Sequence, residues 1–355
     1  MITQPFDIPD QKILLSTLKK INDKIYCATQ FNISSQMPAQ ISDTLYNKQI
    51  KSDSVLLLNG DIWRYYSAEQ DIFNHPTLAN KTVFLQSLGY TNIKYNDMHY
   101  HISLPIWYWQ REIVNKKFIP LSSNLDYGFS CLNNVTNLSR FILGHNLYLN
   151  NLLETIIFSQ NLVQDQTGRL EEDLDDLYSG FDLPKFHEYK KLLPIKLEEE
   201  KHTYHMDIGI DNHPENWFYI PWKLSAHSNA YCFIVTETEC EEYPYERNEN
   251  LPIVTEKSFK PFQTRQLPIV LGARGHYAYL KSLGFEMMED ILPAGYDDMP
   301  TLQKIDAIVA TVAKGREFVR DFYFDHLGEI EHNYELVNST RVEDLIVQKI
   351  KATIN

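Results

Sequence analysis

Short, unbroken apolar runs that end in polar or glycine corners constrain this chain most. Ser54–Asn59 (SVLLLN) closes on Asn59-Gly60-Asp61, and Pro268–Leu271 (PIVL) closes on Gly272. Neither run alternates apolar with polar residues as a half-buried strand does. Each therefore suits a strand covered on both faces, the situation in a parallel sheet. Ala230–Glu237 (AYCFIVTE), Tyr127–Leu132 (YGFSCL) and Ile156–Ser159 read as further strands. Helical apolar spacing occurs in Leu14–Ile25, Leu138–Leu153, His276–Leu283 (stopping at Gly284), Leu302–Phe318 and Val342–Ile354. Thr82–Leu88 reads as a helix closing at Gly89. Strands alternate with helices in both halves, which predicts an α/β fold with parallel sheets and helices on both faces.

A chain of 355 residues exceeds what one hydrophobic core usually organises, so two domains are expected. The net charge of -14 argues against a general nucleic-acid surface, whose affinity comes from neutralising phosphates. The four cysteines, Cys27, Cys131, Cys232 and Cys240, have neither zinc-site nor disulfide-framework spacing. Cys131 and Cys232 lie in apolar runs and read as core residues, and a reducing, cytoplasmic setting is expected. No apolar run approaches the ~20 residues of a membrane span, and Met1–Asp10 lacks the apolar stretch of a signal peptide.

The stretch Ile253–Gly272 (IVTEKSFKPFQTRQLPIVLG) carries the sharpest chemical signal. A loop presents Thr255, Glu256 and Lys257, a short helix follows, and a strand ends at Gly272. Ligands of open α/β sheets bind at the carboxyl ends of strands. Lys257 can add a point charge for a diphosphate, Glu256 can accept from ribose or sugar hydroxyls, and Gly272 lets a backbone approach a ligand closely. The plainer reading makes Thr255 an N-cap and the two charges ordinary first-turn residues. Arg140, leading the helix after Asn133–Asn137, offers a fixed fork of donors to phosphate oxygens. Arg274, in Gly272-Ala273-Arg274-Gly275, is a further phosphate contact candidate.

These segments resemble the signature of the α-1,3-fucosyltransferases and of viral and bacterial proteins like them. The resemblance rests on the Thr255-Glu256-Lys257 loop, the interval to Pro268 and Gly272, and the strand, Asn-rich turn and Arg140 upstream. It covers roughly residues 123–290, plus Tyr100–Gln110 (YHISLPIWYWQ). It implies a GT-B fold of two Rossmann-like domains facing a central cleft. The acceptor domain spans about residues 1–125 and the nucleotide-sugar domain 126–330, and the helix in 331–355 packs back on the first. It also implies inverting, metal-independent transfer from a nucleotide sugar, a GDP-sugar being favoured, to a glycan or other hydroxyl acceptor. Arg140 and Lys257 are then the diphosphate cations, with Thr255, Glu256, Gly272 and Arg274 around the donor. Glu237 is placed to face the sugar, although the family's Asn is absent after it. No Glu stands at the family's base position; Asp97 is the nearest carboxylate and Glu112 its rival. The alternative is a non-catalytic nucleotide- or glycan-binding protein of the same fold, such as a viral structural component. Outside the resemblance, His202, His205 and His213 read as a polar loop rather than a metal site, and Asp298 as the cap of the long helix that follows.

Overall fold

β1 (Cys27–Phe31), β2 (Ser54–Asn59), β3 (Thr82–Ser87), β4 (Ile93–Lys94) and β5 (His99–Ser103) form a five-stranded sheet in the order β1-β2-β3-β5-β4. All neighbours run parallel except the short edge strand β4. Val55 of β2 lies between Cys27 of β1 and Val83 of β3, so the run SVLLLN has strands on both sides. Thr82–Leu88 is not a helix: its first six residues (TVFLQS) are β3. The run is too short for an ordinary helix, and its adjacent Val83 and Phe84 favour a strand held between two parallel partners.

The computed structural model describes residues 27–31, 54–59, 80, 82–87, 93–94, 96–103, 124–133, 137–161, 185–197, 229–237, 254–339 and 341–354. The expected helix Leu14–Ile25, the aromatic segment around Trp107, Glu112 and the three histidines from His202 to His213 lie outside these residues. The chain divides into two units. One comprises Met1–Glu112, Ile253–Glu256 and Ser339–Asn355; the other comprises Ile113–Pro252 and Lys257–Asn338.

The second unit is built on β6 (Tyr127–Asn133), β7 (Ile157–Gln160), β8 (Ala230–Thr236) and β9 (Leu267–Leu271). They form a parallel sheet of order β7-β6-β8-β9. Every residue of β7, β8 and β9 is buried, which requires cover on both faces. Its helices are α1 (Leu138–Leu149), α2 (Phe186–Leu192), α3 (Lys260–Gln263), α4 (His276–Ser282), α5 (Thr301–Val312), α6 (Gly315–Asp325) and α7 (Leu327–Asn338). Helix α5 packs on α1 and β9, while α6 lies on β6 and β8. Gly128 of β6 makes that contact possible, since a Cβ there would come within 2.9 Å of the Arg316 Cα. Helix α8 (Arg341–Ile354) groups with the first unit and packs on β4 and β5.

The chain moves from β6 outward to β7, then returns past β6 to β8 and β9. This reversal puts a topological switch point between β6 and β8, the place where open α/β sheets bind ligands. The α/β architecture with a four-stranded parallel sheet is compatible with a Rossmann-like fold.

The helix expected over Leu138–Leu153 ends at Leu149, and two further helix readings differ from the sequence expectation. Leu302–Phe318 is not one helix: α5 ends at Val312 and α6 begins at Gly315. Gly315 takes a left-handed φ of 84°, which a continuous α-helix does not allow. Asp298 does not cap α5, which starts after Pro300 without a side-chain cap. Its neighbour Asp297 caps α4 instead, accepting from the Tyr277 and Ala278 amides at 3.0 Å each. At its other end α4 stops as its sequence predicts. Gly284 adopts φ 95°, and the amides of Gly284 and Phe285 reach back to the carbonyls of Lys281 and Leu280.

The Asp297 cap joins two sequence-distant segments, so its loss is measurable. Asp297→Ala is expected to lower unfolding free energy by about 1–2 kcal/mol, and exposed Asp298→Ala to change it by less than about 0.5 kcal/mol, as urea titration will show.

Candidate functional site

Polar side chains collect where β6 and β8 end, and most of them are buried. Asn137 starts α1 as its N-cap, accepting from the Arg140 amide at 3.0 Å. That fixes the first turn of α1 beside the end of β6. From this turn the Arg140 side chain reaches to β8. Its Nε donates to Thr236 Oγ1 at 3.2 Å and its Nη2 to the Thr236 carbonyl at 3.0 Å. The Thr236 hydroxyl donates in turn to Oδ1 of Asn133, the last residue of β6. Asn133, Arg140 and Thr236 are all buried. The guanidinium therefore bridges the switch point from one strand end to the next.

One residue further along β8, Glu237 is fully buried, and its amide donates to the Leu271 carbonyl at 2.9 Å, extending the pairing with β9. Ser258 Oγ donates to Glu237 Oε1 at 2.5 Å and stands 2.9 Å from Nε2 of His276. A hydroxyl has one hydrogen. With that hydrogen on Glu237, Ser258 accepts from His276, which places the imidazole proton on Nε2. Glu237, Ser258 and His276 come from the end of β8, the turn Glu256–Phe259 and the start of α4.

Although this trio contains Ser, His and a carboxyl group, it is not an acyl-transfer triad. There the acid holds the imidazole; here it holds the serine, and the hydroxyl is wholly buried. Burial pushes the His276 pKa down; Glu237 and Asp297 oppose that shift, and Lys304 adds to it. Lys304 of α5 is itself buried, and its Nζ donates to the Gly272 carbonyl at 3.0 Å.

The residues singled out from the sequence fall in distinct places. Arg140 lies at the switch point and Glu237 in the buried trio. Thr255 is buried and precedes the turn that carries Ser258, and half-buried Lys257 lies within that turn. Glu256 begins that turn. Gly272 does not present an open backbone to a ligand: the space its Cβ would take is filled by the His276 ring, 2.9 Å away at Nδ1. Arg274 is exposed on the corner between β9 and α4. Asp97 lies in the first unit, exposed in the turn between β4 and β5, where its carbonyl accepts from the Tyr100 hydroxyl at 2.7 Å.

Cys131 and Cys232 are buried free thiols, and burial pushes Cys131 up to about 12. Among the described residues no cluster of His, Cys, Asp or Glu is arranged to hold a metal ion, and no helix is long and apolar enough to cross a membrane.

Asn133, Thr236, Ser258, His276 and Lys304 were not picked out by the sequence reading. Thr236 and Asn133 had a usable signal, since each stands at the carboxyl end of a strand run, where ligands bind. Ser258 and His276 had none, because their pairing exists only in three dimensions.

The fold and the site define an α/β protein with polar and charged groups gathered at a switch point. A search of protein-family models, curated proteins and solved structures finds no match to the chain.

Because the folded state lowers the His276 pKa, the unfolded chain binds more protons as the pH drops. The stabilisation from neutral His276 is complete above about pH 6.5 and is lost as the pH falls through the depressed folded value. His276→Gln keeps a donor for Ser258 and is expected to flatten the loss of melting temperature between about pH 7 and about pH 5. Gly272→Ala is expected to destabilise the chain by about 1–3 kcal/mol in chemical denaturation, because the buried imidazole has to move.

Proposed function

We propose that this chain is a glycosyltransferase of the GT-B type, resembling the α-1,3-fucosyltransferases, and that its second unit binds a nucleotide-sugar donor. The two α/β units are its Rossmann-like halves. The observation that carries this reading is the Arg140 guanidinium, held across the switch point between β6 and β8 by the end of β8. A diphosphate needs cations at the strand ends, and a guanidinium pre-set by two hydrogen bonds to one residue loses little freedom on binding.

Lys257 supplies a second cation. It immediately precedes Ser258, which is bonded to Glu237, and Glu237 immediately follows the Thr236 that holds Arg140. The Arg140 guanidinium and the turn that carries Lys257 are therefore tethered to consecutive residues of one strand end. In the transfer step they would offset the charge that develops on the leaving diphosphate. Thr255 and Glu256, on the same loop, would meet the ribose or sugar hydroxyls. Asp97 is the proposed base for the acceptor hydroxyl, and a GDP-linked sugar is the favoured donor.

One observation favours a non-catalytic nucleotide- or glycan-binding protein as the second reading. Glu237 is wholly buried and already engaged by Ser258, so it does not face a sugar in this state.

A thermal-shift screen against GDP-, UDP- and dTDP-linked sugars tests the reading. A donor present at about 100 times its Kd is expected to stabilise the fold by about 2.7 kcal/mol. Arg140→Lys, which keeps the charge but loses the fork, is expected to weaken that donor at least about tenfold by calorimetry. A chain that binds none of these donors sinks the proposal. Binding without turnover of any acceptor leaves the non-catalytic reading.

A further inference from the structure

We infer that Ser258, backed by His276, is a positioning residue that sets the spacing between Lys257 and Arg140, so that the site grips a diphosphate better than a monophosphate. The inference rests on the nucleotide reading above and concerns groups that do not themselves touch the ligand.

The geometry has three parts. Arg140 is fixed to Thr236 by two hydrogen bonds, and Thr236 is fixed to Asn133, so the first cation is referenced to the ends of β6 and β8. Ser258 Oγ bonds to Glu237, the next residue along β8, so the residue preceding Ser258 is referenced to the same strand end. His276 Nε2 holds Ser258 from the other side at 2.9 Å, and the His276 ring is itself packed against Gly272.

The trio is enclosed, so water does not compete for these bonds. The turn is also clamped downstream by aromatic packing. Phe259 and Phe262 are buried against Phe285, with the Phe262 and Phe285 rings stacked at 4.3 Å. The chain is thus anchored on the far side of Ser258 by apolar contacts. The polar bond to Glu237 fixes which way residue 257 is presented.

A diphosphate spans two cations and feels their separation, whereas a monophosphate is satisfied by one. Loosening the Ser258 bond is therefore selective. It weakens a ligand that needs both cations and spares a ligand that needs only the guanidinium. A general loss of structure would weaken both alike.

The test is isothermal titration of the full chain with GDP and with GMP, comparing wild type with Ser258→Ala, Ser258→Thr and Lys257→Ala. Ser258→Ala is expected to weaken GDP about tenfold and GMP less than about twofold. Ser258→Thr, which keeps the hydroxyl, is expected to restore the GDP affinity. In the Lys257→Ala background the Ser258→Ala change should no longer affect GDP, because the cation that it places is gone. Equal weakening of both nucleotides, or of neither, overturns the inference while the nucleotide reading stands. Amide hydrogen exchange over residues 255–259 decides the positioning role without any ligand. Exchange there is expected to rise at least about tenfold in Ser258→Ala and to return close to the wild-type rate in Ser258→Thr. If wild type binds neither nucleotide, the nucleotide reading fails, and unchanged exchange in Ser258→Ala then overturns the positioning role as well.

Discussion

A strand buried along its whole length has to place its polar ends somewhere, and β8 is such a strand. Its neighbours satisfy its backbone, but its carboxyl end beyond Val235, buried like the rest, carries polar side chains. Thr236 and Glu237 occupy that position. They are satisfied by side chains from three other segments: Asn133 at the end of β6, Arg140 in α1 and Ser258 before α3. Leaving such groups without partners in a dry interior costs more than each bond returns on its own. The network at the switch point therefore follows from the burial of β8, and it brings a guanidinium and the Lys257 turn to the same strand end.

Much of the second unit was legible because its strands are short and unbroken. AYCFIV and LPIVL have no polar residue to mark a solvent face, and only a sheet covered on both sides accommodates them. The same rule identified β2 but not β3, where TVFLQS ends in polar residues and can be read with either period. The division between α5 and α6 was obscured because apolar spacing continues through Val312 into Phe318, while the break depends on the backbone angle of a single glycine. The cap of α4 was hidden for a different reason. Asp297 is separated from Tyr277 by the rest of α4 and the turn Glu289–Ile291, and local rules favour its neighbour Asp298 as a cap for the helix that follows.

The candidate site was legible where a charge stands at a strand end or helix start, as with Arg140 and Lys257. Buried groups that serve those charges were not. Serine at 258 reads as an ordinary turn residue, and histidine at 276 as the opening residue of a helix. Gly272 shows the limit most clearly. Glycine at the end of a strand suggests room for a ligand, yet the room is taken by an imidazole from the next helix. A missing side chain in the sequence says that something approaches closely without saying what.

Helix α8 packs on β4 and β5, although the chain between them contains all of the second unit. On a ribosome, the strands of the first sheet emerge before the second unit and their covering helix emerges after it. The earlier-made sheet thus lacks that cover until the later-made unit has been synthesised. The order of synthesis and the order in which the two units can be completed run in opposite directions.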